Sequence, residues 1–386
     1  MIIMEIAVCG KTNVGKTSFF SAATLVDAEI SNRVFTTIKP NRGVAFVRAV
    51  CPCKELKVKC NPQNSKCVNS TRLIPVKLID IAGLVPDAHL GRGLGNQFLS
   101  DIMEADAIIH VVDISGSTDI NGNQVLPGTH SPENDILFFQ EEIELWLLDV
   151  IKRGFTKHAD FTAMVQKQLS GLKVNFQLIE DLIKGVNLKP DSSDEESRRF
   201  LRLLMEKSKP ALIAGNKIDI EGANEIYQNL KEKYNIVPCS AQAELALRKA
   251  AKIGAINYMP GEASFEIVQN IDEKQMKALE FITSHVLSVC GSTGVQKAIN
   301  KAVFDLLDMI VVYPVENEHK FSNKQGDVLP DALLLRNGST ALDLAYKVHE
   351  DIGKKFISAV DARTKKAVAS DYKLKNGDII SIKSGR

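Results

Sequence analysis

Gly10-Lys11-Thr12-Asn13-Val14-Gly15-Lys16-Thr17 has the residue types and spacing of G-x-x-x-x-G-K-[ST], an arrangement suited to gripping phosphate oxygens. Glycine at both ends lets the backbone turn tightly enough to aim N–H groups at an anion, and a helix beginning at Thr17 adds the positive end of its dipole. Ser18 belongs to the same binding stretch as Asn13 and Val14. Lys16 is expected to bridge β- and γ-phosphates, and the Thr17 hydroxyl to ligate the Mg²⁺ that a triphosphate needs. Further on, Asp80-Ile81-Ala82-Gly83 reads D-x-x-G, where Asp80 would hold Mg²⁺ through water and the Gly83 N–H would sense the γ-phosphate. Between the two motifs, Phe35-Thr36-Thr37-Ile38-Lys39-Pro40-Asn41 offers the ion a threonine, and Thr37 is the expected ligand ahead of Thr36. Lys16, Thr37 and Gly83 then form the catalytic set.

Asn216-Lys217-Ile218-Asp219 matches N-K-x-D and selects the base. The Asp219 carboxylate can accept both the N1–H and the exocyclic amine of guanine. Adenine presents a lone pair at N1, so a buried carboxylate would lose its bonds there, a mismatch of several kcal/mol. Downstream, Cys239-Ser240-Ala241 supplies a last loop whose Ala241 N–H is expected to reach the guanine O6. GTP and GDP are therefore the expected ligands. Taken singly, D-x-x-G is a common turn and N-K-x-D could be a helix cap. Their order along the chain gives them their value.

These residues need strands and helices to hold them. Glu5 to Val8 reads as a β-strand entering the glycine loop, and Thr17 to Ala23 as the helix leaving it. Ile74 to Ile79 delivers Asp80, and Ala211 to Gly215 delivers Asn216; Ala107 to Val112 is a further apolar strand. With 386 residues and 45% hydrophobic composition, the chain can bury a large core and suits two or three domains. Lys plus Arg number 48 against 47 for Asp plus Glu, so net charge does not argue for nucleic acid; no DNA partner is expected. No apolar stretch approaches the roughly 20 residues that span a bilayer, and Met1 to Val8 lacks a basic n-region. A soluble, cytoplasmic protein without a membrane partner is the expectation. Seven scattered cysteines fit a reducing compartment better than a disulfide framework.

Asp113 ends a core strand, yet the next begins only near Ala211, too far for an ordinary connection. Glu133 to Lys152 has apolar residues at helical spacing and Phe161 to Lys184 reads as a second helix, which together suggest an antiparallel helical arm. Asp191 to Ser197 reads as a polar, acidic hinge. Cys51, Cys53, Cys60 and Cys67 fall together between the strand Val44 to Val50 and the strand leading to Asp80, so zinc is one reading. Their C-x-C start followed by wider gaps is not the usual pair of knuckles, and free thiols are the other reading. Past Val315 the pattern turns to short strands around one helix: Asp331 to Arg336, a Thr340-x-x-Asp343 capping box before Leu342 to His349, Phe356 to Val360, and an Asn376-Gly377 hairpin turn before Ile379.

The ordered motifs resemble those of the Obg-related GTPases, most closely the YchF-like branch in its archaeal form. Phe35 to Gly43, Asp80-Ile81-Ala82-Gly83-Leu84-Val85-Pro86 and Gly91-Arg92-Gly93-Leu94-Gly95-Asn96-Gln97-Phe98-Leu99 carry the likeness over nearly the whole chain. The resemblance implies an α/β fold: a P-loop G domain with a mostly parallel, doubly wound sheet in two parts, 1–130 and 209–312. A helical insertion, 131–208, and a C-terminal ubiquitin-like β-grasp module of TGS type, 313–386, complete it. Many YchF-like members carry Asn-x-x-Glu where this chain has Asn216 and Asp219, a departure that supports GTP over ATP. Leu84 stands where Ras-type enzymes place a water-orienting glutamine, and the resemblance implies a hydrophobe turned away and slow intrinsic GTP hydrolysis. It also implies a K⁺ held beside the phosphates by Asn13, while His89 reads as a solvent-facing loop residue. The likeness points to translation, with ribosome or structured RNA (tRNA or rRNA) as partner and Arg363, Lys365 and Lys366 as an RNA-facing patch, weakly extended by Lys354 and Lys355. Two rivals stay open: a ribosome- or tRNA-bound scaffold with structural nucleotide, and an ATP-preferring enzyme.

Overall fold

The computed structural model describes residues 4–25, 41–84, 86–90, 95–153 and 160–385, the side chains of 95–99 excepted. Thr36 and Thr37, with the rest of 35–40, lie outside these residues, as do Val85 and 91–94.

A seven-stranded sheet forms from β1 (Glu5–Cys9), β2 (Arg42–Val50), β3 (Lys66–Val68), β4 (Thr71–Asp80), β5 (Ala107–Asp113), β6 (Ala211–Asn216) and β7 (Ile236–Pro238). Its order is β2-β4-β1-β5-β6-β7, with β3 also pairing β4. From β4 to β7 all neighbours run parallel, whereas β2 and β3 lie antiparallel to β4. The β5 sequence AIIHVVD is buried at every position, as a parallel strand covered on both faces must be. Alternation along β1 divides the two faces. Ile6 and Val8 join Phe19 and Ala22 of the helix Lys16–Thr24 and Val295, Ala298 and Ile299 of the helix Val295–Lys301. Ala7 and Cys9 point the other way, toward Phe139, Leu147 and Phe200. The sheet is thus doubly wound, as expected.

The insertion is helical, as expected, and packs against the sheet. Its helices Pro132–Lys152, Phe161–Gln168, Phe176–Val186 and Asp194–Ser208 share one core with the sheet, including Ile79, Ile81 and Ile108. The expected single helix over 161–184 is broken at Ser170–Leu172, where Lys173 takes a left-handed φ of 52° and Asn175 caps the next helix by accepting from the Gln177 N–H at 2.8 Å. Nor is 191–197 a hinge. Ser193 and Glu196 form a reciprocal capping box that starts the helix Asp194–Ser208, so the acidic residues are its first turn, where they favour the helix dipole.

After a small ladder of β8 (Ile256–Asn257) and β9 (Glu266–Ile267) comes a second sheet of β10 (Met309–Val315), β11 (Leu333–Arg336), β12 (Phe356–Asp361), β13 (Ala367–Val368) and β14 (Ile379–Ser384). Its order is β11-β10-β14-β12-β13, and β10 runs parallel to β14 at the centre. The helix Ala341–Val348, started by the Thr340–Asp343 capping box, packs Ala341 and Leu344 onto Ile310, Val312, Leu335 and Ile380. Asn376 and Gly377 form a turn, with Gly377 at a φ of 89°, but it does not join two hairpin strands. It docks on β10, where Val311 N–H donates to Asn376 Oδ1 at 2.9 Å and Gly377 N–H to the Val311 carbonyl at 2.7 Å. Among the described residues no helix is long and apolar enough to cross a membrane.

Candidate functional site

Parallel, in-register strands bring their carboxyl ends to one edge of the sheet, which is where such sheets bind ligands. Val8 pairs with Asp80, and Asp113 with Asn216, so β1, β4, β5 and β6 present their following loops side by side. The loop after β1 turns at Gly10 (φ 141°), Asn13 (φ 64°) and Gly15 (φ 96°). A Cβ on Gly10 would stand 2.3 Å from the Val111 carbonyl oxygen, and one on Gly15 would stand 2.1 Å from Asn216 Nδ2. Both glycines are therefore required by space as well as by φ.

A cavity of about 490 Å³ opens above this loop. Asn13, Gly15, Lys16, Thr17 and Ser18 of the phosphate loop and Asn216, Lys217 and Asp219 of N-K-x-D line it together. Gly10, Val14, Asp80, Gly83, Ser240 and Ala241 are not among the residues that line it. Asn216 is the tie: its Nδ2 donates to the Val14 carbonyl at 2.8 Å and its Oδ1 accepts the Ala241 N–H at 2.9 Å. The Ala241 N–H, expected to meet a guanine O6, is thus given to Asn216. Ala241 is fully buried there. Ser240 caps the helix Ala241–Lys252, accepting from the Ala243 N–H. From that helix Arg248 reaches back to the Ala23 and Leu25 carbonyls at 3.1 and 2.6 Å and so closes the C-terminus of Lys16–Thr24.

Lys16 donates to the Lys11 carbonyl at 2.6 Å. Burial pulls its ammonium below the ordinary lysine range, partly offset by Cys9 and Asp80, while burial raises Asp80 against the pull of Lys16. A Cβ on Gly83 would lie 2.7 Å from Thr12 Oγ1 and 3.3 Å from Lys16 Nζ, so any side chain there would crowd the lysine. Leu84 donates its N–H to the Gly10 carbonyl at 3.1 Å while its side chain, 2% exposed, joins the core beneath. His89 is not a solvent-facing loop residue: its Nδ1 lies 2.8 Å from Glu142, and the Asp87 and His89 N–H groups donate to the same carboxylate, both at 3.0 Å.

Several contributors carried no motif. Asp113 accepts from Ser115, Ser117 and Thr118 hydroxyls and from Lys217 Nζ at 2.8 Å; these bonds hold its carboxyl below the usual range despite burial. This hub fixes Lys217, whose φ is 65°, with its stem along the cavity. Lys11 is buried against Asp135 of the insertion at 2.7 Å, and Asn13 donates to the Gly122 carbonyl at 2.9 Å. The 115–130 loop thereby lies over the phosphate loop, adding Ser117 and Gln124 to the wall, which Ile220 and Gln242 also line. The only trace of this in the sequence is the acid-and-hydroxyl run Asp113-Ile114-Ser115-Gly116-Ser117-Thr118 closing a core strand.

The distal patch is less free than its charges imply. Arg363 donates to Glu55 and to the Gly377 carbonyl at 2.7 Å, and Lys365 to backbone carbonyls of Glu318 and Ala362 over the Phe321 ring. Two of its three cations thus hold the module together, because their donors meet buried or turn carbonyls.

Residues 5–138 match the family described as 50S ribosome-binding GTPase, 214–317 the Obg-like GTPase YGR210-like, G4 motif-containing domain, and 321–384 the TGS domain. An uncharacterized GTP-binding protein of Methanocaldococcus jannaschii is 47% identical over 98% of both chains. The ribosome-binding ATPase YchF of Buchnera aphidicola (strain APS) is 28% identical over 97% of each. Among solved structures, a GTP-binding protein from Pyrococcus horikoshii OT3 superposes with a TM-score of 0.77 at 38% identity, over 99% of this chain and 100% of its own. The Schizosaccharomyces pombe YchF GTPase, 19% identical, shares the fold with a TM-score of 0.59 over 98% and 97%.

Proposed function

Since this chain belongs to the Obg-like GTPases of archaeal type, related to YchF and ending in a TGS domain, we propose that it is a slow GTP hydrolase that switches its affinity for the ribosome with its nucleotide. One observation carries the reading: a single cavity is lined by both Lys16 and Thr17 of the phosphate loop and Asp219 of N-K-x-D. A shared cavity suits a nucleotide whose phosphates and purine are gripped together. Asp219 takes the guanine N1–H and amine, which favours GTP over the ATP named for the YchF relatives.

Lys16, whose ammonium is disfavoured by burial, is favoured again beside phosphate oxygens and stabilises the charge spreading over them. Thr17 and Asp80 offer the hard oxygens that suit Mg²⁺, and Asp80 is a desolvated acid with one nearby cation, so the residues fit the ion; Thr37 is proposed to complete the set. When bound, Mg²⁺ neutralises charge on the β- and γ-oxygens. Water attacks the γ-phosphorus, the bond to the β-bridging oxygen breaks, GDP leaves with that electron pair, and the water proton passes to solvent. Leu84 is in the core and His89 is engaged by Glu142, so neither orients the water. Asn13, whose Nδ2 is given to Gly122, keeps Oδ1 for a K⁺ beside the phosphates.

Buried Leu84 also favours the rival in which nucleotide is structural. Single-turnover GTP hydrolysis in KCl and in NaCl, with and without ribosomes, separates them. We expect slow phosphate release, faster with K⁺ and with ribosomes. Equal rates in the two salts would remove K⁺, and no release under any condition would favour the scaffold.

A further inference from the structure

Cys51, Cys53, Cys60 and Cys67 converge. Their four Sγ atoms all lie within 4.8 Å of one another, with Cys51 to Cys60 at 4.0 Å and Cys53 to Cys67 at 3.9 Å. A tetrahedral tetrathiolate with bonds of about 2.3 Å has sulfur–sulfur edges of about 3.8 Å, so these atoms already stand near its corners. The irregular spacing has a structural cause. Pairing is interleaved, first with third and second with fourth, because the Cys51 N–H bonds the Ser70 carbonyl and the Val58 N–H bonds the Cys53 carbonyl, folding the loop back between β2 and β3.

We propose that these cysteines bind one structural zinc ion, which fixes the 51–70 loop as the clamp joining the C-terminal module to the nucleotide-binding sheet. Binding breaks four S–H bonds and forms four Zn–S bonds, with four protons released to solvent and a net charge of −2 on the site. A counter-charge is waiting. Arg72, fully buried and paired in register with Cys67, donates to Ser65 Oγ at 3.0 Å and to the Leu329 carbonyl at 2.9 Å. Its Nε has no hydrogen-bond partner, and the Asp331 carboxylate acts on it only through space, with no ion pair between them. A buried guanidinium with no anion in contact is costly, and a dianionic thiolate cluster beside it relieves that cost.

The same loop carries the seam. Asn61 N–H donates to the Val328 carbonyl at 2.8 Å, Gln63 N–H to the Pro330 carbonyl at 2.7 Å, and Asn64 exchanges two hydrogen bonds with the Ala332 backbone. Tyr313 of β10 donates its hydroxyl to the Val50 carbonyl at 3.1 Å and lies under Arg72. Cys51 and Cys53 belong to the core that contains Tyr313, Leu329 and Ala332. A zinc at the cysteines therefore braces the contact between the two sheets.

Full-length protein expressed with zinc in the medium is desalted and assayed by plasma mass spectrometry. About one zinc per chain is expected, and under roughly 0.2 per chain would overturn the proposal. Replacement with Co²⁺ should give the visible absorption of a tetrahedral thiolate site, which needs no variant and so survives poor folding of Cys60→Ser with Cys67→Ser. That double variant should lose the metal. On chelation, amide exchange at Asn61, Gln63 and Ala332 should rise roughly tenfold while GDP affinity holds; unchanged exchange at the seam would overturn the clamp.

Discussion

At the scale of single residues, the base end makes the sharpest demand. Asp219 is proposed to accept two hydrogen bonds from guanine, and Asp219→Asn would turn half of that acceptor into a donor. Hydrogen bonds to a charged partner are worth about 1.5–3 kcal/mol each, so GDP affinity should fall roughly 10²- to 10⁴-fold. Xanthine, with an oxygen where guanine has its amine, should gain; fluorescent-nucleotide titration measures both. His110 makes a different prediction. Burial, with smaller contributions from Lys16 and Lys11, lowers it from 6.5 to about 3, and its ring stacks on Phe139 at 4.2 Å. The unfolded chain takes up this proton below pH 6.5 and the folded chain does not, so stability is lost progressively from pH 6.5 toward 3. In urea melts, the stability gap between wild type and His110→Leu should be flat above about pH 7 and shift in favour of the variant below it. A constant gap would mean that His110 takes up its proton over the same pH range in both states.

Elements act here through their ends and their cross-ties. The segment 86–90 is fastened by Glu142 of the helix Pro132–Lys152, which accepts from two backbone amides and from His89. This links the stretch after D-x-x-G to the insertion. Glu142→Ala should raise amide exchange at Asp87 and His89 by roughly tenfold, with β5 amides unchanged; a uniform rise would instead report global loosening. Where the helical reading failed, the reason was local chemistry. Lys173 in a left-handed turn and the Asn175 cap divide one expected helix into two, and the Ser193–Glu196 capping box turns an acidic hinge into a helix start.

For the whole molecule, ligand linkage is the readout. GDP or GTP at ~100 times Kd should add about 2.7 kcal/mol of stability, raising Tm by several degrees, whereas ATP at the same concentration should do little. Equal shifts with ATP would mean that Asp219 does not read the base. The phosphate loop, D-x-x-G and N-K-x-D were legible in the chain because each is a short run with a fixed spacing, and the core strands were legible as apolar runs of the kind a sheet covered on both faces buries. The capping box at Thr340 was legible for the same reason. What tertiary structure decided involves partners far apart in sequence. Asp113 became a hub through Lys217, the Ala241 N–H met Asn216, and Glu142 captured His89. Folding laid the insertion on the sheet because its apolar helix faces and Ala7, Cys9 and Ile81 need one another, and it interleaved four cysteines whose spacing gave no such pairing. Local sequence specifies backbone turns and periodic faces; which buried charge meets which donor depends on loops converging at one sheet edge, and only the assembled fold brings them together.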